Sequence, residues 1–69
     1  MDKQEWKQFL RWLDEANERE LAQVKRRLRS TQAAVTEAGV RSDLRRMLRL
    51  IDEEVLIRQN LAMRSKARR

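Results

Sequence analysis

The sequence predicts an all-α fold, an antiparallel helical hairpin of two unequal helices, on three observations. Forty of the 69 residues are Ala, Glu, Lys, Leu or Arg, a composition typical of long helices. There is one Gly and no Pro, so almost nothing interrupts a helix once it has begun. Apolar residues recur at steps of three and four, the period of a helix with one buried face.

The first helix is expected over residues 3–38. Asp2 followed by Glu5 has the spacing of a capping box, with Asp in place of Ser or Thr. Its apolar line runs through Trp6, Phe9/Leu10, Leu13, Ala16, Leu21, Val24, Leu28, Thr31, Val35 and Ala38. Ser30 and Thr31 are the weakest point, because their hydroxyls compete for backbone hydrogen bonds. Gly39 is expected to supply a left-handed residue beyond the helix end, opening a turn over residues 39–42. Ser42 or Asp43 then caps a second helix over residues 43–66. Its face is Leu44, Met47/Leu48, Ile51, Val55, Arg58 and Leu61/Ala62. Leu50, Leu56, Ile57 and Met63 fall off that line and widen the apolar surface beyond what one partner helix covers. Residues 67–69 form a basic tail expected to fray, and the whole chain is one domain.

Charge supports the hairpin register. With a turn near residue 40, Lys25, Arg26, Arg27 and Arg29 lie opposite Asp52, Glu53 and Glu54. Asp14, Glu15, Glu18 and Glu20 lie opposite Arg64, Lys66 and, more loosely, Arg58. Each exposed pair contributes only about 0–1 kcal/mol, but like-charge facing would have opposed the fold. The longer first helix then overhangs the second. All the aromatic residues, Trp6, Phe9 and Trp12, fall on that overhang with Leu10 and Leu13. An exposed patch of this kind marks an interface, so the expectation is a homodimer through these five residues, giving a four-helix arrangement.

The chain has no Cys and no His. That removes disulfides, the strong zinc and iron ligands, and the commonest general base near neutral pH. The expectation is therefore a non-enzyme with no metal and no cofactor. Asp14 and Glu18 are an i,i+4 acid pair without a cleft, which reads as solvated surface. The amino-terminal residues carry acids and lack the apolar stretch of a signal peptide. No apolar run approaches the roughly 20 residues of a membrane span. A cytoplasmic protein that does not engage a membrane is expected.

Lys and Arg number 17 against 11 Asp and Glu, and the excess survives the register argument in one place. Arg41, Arg45, Arg46 and Arg49 face the nearly uncharged stretch from Thr31 to Thr36, with Val40 beside them. An apolar residue next to an Arg stripe suits a protein-binding hot spot, and also a phosphate-binding stripe. Asp14, Glu15 and Glu18 form an acidic band suited to a basic partner. The candidate partner-binding residues are thus Val40, Arg41, Arg45, Arg46, Arg49, Asp14, Glu15 and Glu18. A protein-binding regulator makes most use of these features. The alternative is a small dimeric RNA- or DNA-binding hairpin, although acids interrupt most of its basic faces.

In length and layout, from the Met1-Asp2-Lys3-Gln4-Glu5-Trp6 opening to the Ala67-Arg68-Arg69 end, the chain resembles the early host-takeover proteins of temperate Pseudomonas phages. It is similar in particular to the phage anti-quorum-sensing anti-activators. The resemblance implies a dimer in the host bacterial cytoplasm that binds the DNA-binding domain of a LuxR-type transcription activator and blocks its use of DNA. It also implies a second target, the assembly ATPase of the type IV pilus, whose inhibition gives superinfection exclusion. No site residue transfers by motif.

Overall fold

A computed structural model describes the backbone of residues 1–67 and the side chains of residues 1–64. The described residues form three helices, α1 (Lys3–Glu15), α2 (Glu18–Ala34) and α3 (Ala38–Ala67). The all-α class holds, whereas the two-helix hairpin does not.

α1 begins where the sequence places it. The Glu5 N–H donates to Asp2 Oδ1 at 2.8 Å, and the Asp2 N–H donates back to Glu5 Oε1 at 3.4 Å. The expected first helix then breaks at Ala16 and Asn17, both extended, with ψ of 143° and 171°. Asn17 builds a second capping box, with the Glu20 N–H donating to Asn17 Oδ1 at 2.8 Å and the Asn17 N–H to Glu20 Oε1 at 3.0 Å. Satisfying these orphan donors lets the chain reverse in two residues without leaving buried backbone groups unpaired. Ser30 and Thr31, the expected weak point, lie inside α2.

The second connection is also displaced. α2 ends at Ala34; its C-cap Val35 is extended (ψ 132°), and the Val35 N–H donates to the Thr31 carbonyl at 3.0 Å. The connection is Val35–Glu37, not residues 39–42. Gly39 lies within the first turn of α3 and has no positive φ. Ser42 and Asp43 are likewise inside α3 and cap nothing. Asp43 instead accepts a hydrogen bond from the Met1 ammonium, which raises the pKa of that amino group. Because the folded state favours the protonated form, this tether is present at neutral pH and is lost as pH rises through the raised value. As for the expected frayed tail, Ala67 closes α3, and residues 68–69 lie outside the described residues.

Cross-helix contacts fix the topology. Met1 meets Asp43, Trp6 meets Arg46, and Leu13 meets Arg58, so α1 runs parallel to α3. Lys25 pairs with Asp52, so α2 returns antiparallel, as the charge register anticipated. The core is Phe9, Leu13, Ala16, Leu21 and Ile51, with Trp6, Trp12, Val24, Leu28, Met47, Leu50 and Val55 packed around it. Ile51 is fully buried and Leu21 is 1% exposed.

The overhang therefore belongs to α3. Its 30 residues span about 45 Å at about 1.5 Å each, against about 25 Å for α2. α2 begins beside Arg58 and Gln59, so the last turns of α3 project past it. Among the described residues, no helix is long and apolar enough to cross a membrane.

Two substitutions test these placements. Asn17→Ala should cost about 1 kcal/mol, the ordinary value of an N-cap, read as a lowered Tm. Gly39→Ala should stabilise by about 0.5–1 kcal/mol, because the added Cβ meets only Glu37 Oε1 at 3.8 Å. A comparable loss on Gly39→Ala would instead show a left-handed turn at that position.

Candidate protein-binding surfaces

The five residues expected to form the dimer interface are mostly consumed inside one chain. Phe9 and Leu13 are buried, and Trp6 and Trp12 are half-buried. Their rings pack on one another, Trp6 edge-on to Phe9 with centroids 6.0 Å apart, and Phe9 tilted against Trp12 at 5.8 Å. Only Leu10 stays exposed, at 49%. The reversal at Ala16–Asn17 folds α1 back onto α3, so these aromatics form no overhang and need no second copy to cover them.

The basic candidates do gather at the amino-terminal end of α3. Ser42, Arg45, Arg46 and Arg49 line an open groove of about 300 Å³, and Val40 sits a turn earlier, 38% exposed. The four arginines are not equivalent. Arg46 stacks its guanidinium 4.5 Å above the Trp6 ring, a cation–π contact that shields α1's aromatic edge. Arg49 approaches Glu53 at 3.9 Å, an exposed i,i+4 pair of small energetic weight. Among the described residues Arg41 and Arg45 form no ion pair. With no acidic residue in the first turn of α3, the positive end of the helix dipole adds to their field.

The acidic candidates lie at the other end of the bundle. Asp14, Glu15 and Glu18 are exposed around the α1–α2 corner, roughly 20 Å along α3 from the arginine groove by helix rise. Sequence register put Arg58 loosely opposite these acids, but its role is different. The Arg58 guanidinium donates to the Leu13 carbonyl at 3.1 Å and to the Asp14 carbonyl at 3.5 Å. Its Nε also lies 3.7 Å from Glu54. α1 has no basic residue in its last turn, so a cation from α3 satisfies its terminal carbonyls and opposes its negative dipole end. Arg64 is exposed and makes no ion pair with the acids among the described residues, and the side chain of Lys66 lies outside them.

A further surface is only partly legible in the sequence. Leu56, Ile57, Leu61 and Met63 are 58%, 54%, 59% and 68% exposed. Leu56, Ile57 and Met63 fall off the main apolar line, whereas the spacing places Leu61 on the buried face. It is exposed because α1 and α2 stop short of it.

Arg58→Met keeps most of the side chain's packing volume and removes its hydrogen bonds. It should cost about 1.5–3 kcal/mol, the range for hydrogen bonds to a charged group, with Arg58→Lys intermediate because a single ammonium lacks the planar fork. Chemical denaturation of the three proteins reads the order directly.

No family, no curated protein and no solved structure matches this chain.

Proposed function

We propose that the chain is a non-catalytic protein-binding inhibitor that works by occupying a partner's surface. The observation that carries this reading is the Arg41–Arg45 end of α3, which forms no ion pair among the described residues, with Val40 beside it. Unpaired guanidinium groups next to a half-exposed aliphatic side chain are ready to meet an acidic protein surface without first breaking internal contacts. The α1–α2 corner with Asp14, Glu15 and Glu18 supplies a second surface of opposite sign, far enough away to serve a different target.

In the specific form that the resemblance implies, the chain is an anti-activator acting in the host bacterial cytoplasm. The acidic corner then faces the basic DNA-reading surface of a LuxR-type activator, and the arginine end faces the pilus assembly ATPase. A small dimeric nucleic-acid-binding regulator is the competing reading. It is favoured by the Ser42–Arg49 groove and disfavoured by Asp52 and Glu53 further along α3.

Capture from a nuclease-treated bacterial lysate at moderate salt separates the readings. Wild-type protein should retain specific protein partners. Arg41→Glu with Arg45→Glu should reduce one partner by about tenfold or more, as expected for loss of hot-spot contacts. Asp14→Lys with Glu18→Lys should reduce a different one. Equal loss of both partners from folded variants would overturn the two-surface reading. Recovery of nucleic acid alone, released as salt rises, would replace the protein-binding reading altogether.

A further inference from the structure

A groove of about 280 Å³ runs between the first turns of α2 and the middle of α3. Its floor is apolar. Leu21 and Ile51 are almost closed to water, Val55 is half-buried, and Ala22 is exposed. The short side chain at position 22, between Glu18 and Lys25 on one edge of α2, leaves the groove open. A cavity of about 150 Å³ is enough for a benzene ring, while small-molecule sites usually start at about 300 Å³. The groove therefore suits one large apolar side chain of a partner better than a free ligand.

The charges around it are answered unequally. Lys25 and Arg58 both line the groove. Lys25 pairs with Asp52, and Arg58 is held by Glu54 and by the Leu13 and Asp14 carbonyls. Glu18 also lines the groove, is exposed, and forms no ion pair among the described residues. The exposed Asp14 and Glu15 form none either. Through the Arg58 contact, the backbone of Asp14 lies against the same end of the groove.

We infer that the groove and the acidic corner form one docking site for a basic amphipathic helix of a partner protein. One apolar side chain of that helix enters the groove, and Lys or Arg residues about a turn away meet Glu18, Asp14 and Glu15. A desolvated anchor in a pocket supplies binding energy, and the charges at its rim select the partner. The inference rests on the proposal that the acidic corner receives a basic surface, and adds the apolar anchor and the residues that hold it. An acidic helix would bring like charge against Glu18.

Titration of the isotope-labelled full chain with short Ala–Lys helical peptides at low salt tests both parts, read from backbone amide shifts. A peptide with one central Leu should bind about tenfold tighter than the same peptide with Ala there, the gain from burying the extra carbons. It should also shift the amides of Leu21, Ala22 and Val55. Ala22→Leu and Ala22→Phe, at an exposed position, should keep the helicity and erase the Leu preference by filling the groove. Glu18→Gln should weaken both peptides about two- to fivefold and leave the Leu preference intact. Equal affinity for the two peptides, or a Leu preference that survives both Ala22 variants, would overturn the anchor and leave the acidic-corner proposal standing. Unchanged affinity in Glu18→Gln with Asp14→Asn would overturn the corner as an acceptor of basic helices. A Glu–Ala peptide with the same central Leu that binds more tightly than the Lys version would overturn the charge of the partner.

Discussion

Everything in this small bundle is arranged around Ile51, which has no solvent exposure and sits where all three helices meet. A chain of 69 residues has a high ratio of surface to volume, so it can build one core and no more. Phe9 and Leu13 reach Ile51 from α1, and Leu21 reaches it from α2. Burying such side chains yields about 1.5–3 kcal/mol each, well beyond what a surface ion pair contributes. The charges then work at the margins. Lys25–Asp52 pins α2 in register, Arg58 satisfies the end of α1, and Arg46 covers the Trp6 ring. None of the buried positions is polar or charged among the described residues.

The division of labour among the arginines follows from that arrangement. Arg58 turns in to the Leu13 carbonyl and the exposed Arg46 covers the Trp6 ring, partners that come within reach only when α1 folds back. Arg41 and Arg45 remain exposed near the start of α3. The net positive charge is therefore not evenly available. Lys25, Arg46 and Arg58 help hold the bundle together, whereas Arg41 and Arg45 form no ion pair among the described residues.

Much of the helical content was legible in the sequence, and the placement of its breaks was not. Asp2–Glu5 announced the start of α1, and the opposed charges of Lys25 and Asp52 announced the antiparallel pairing of α2 with α3. The same capping signature recurs at Asn17–Glu20, accompanied by a five-residue step from Ala16 to Leu21 in an otherwise regular apolar line. It is easily passed over because Asn in a helix interior costs only a fraction of a kcal/mol (up to about 0.7), so local propensity alone permits either outcome. Gly39 misled in the opposite direction. Glycine's backbone freedom permits a turn without imposing one, while the β-branched Val35 and Thr36, stiff at χ1, lie in the real connection. Of the candidate site residues, the exposed arginines and acids stayed on the surface, since nothing in the core can hold them. The aromatic cluster went inside, because its neighbours across the bundle exist only once the corner at Ala16–Asn17 has formed.

That corner also bears on how the chain avoids entangling with its own copies. Straightening Ala16 and Asn17 would fuse α1 and α2 into one rod and leave α1 free to dock on the α3 of another molecule, the topology of a domain swap. Only these two residues would need a new backbone conformation for such an exchange, so burial and caps, not chain length, would oppose it. In dilute solution, α1's own α3 is always the nearer acceptor. The two reciprocal hydrogen bonds at Asn17 and Glu20 thus hold the folded-back corner as well as starting α2.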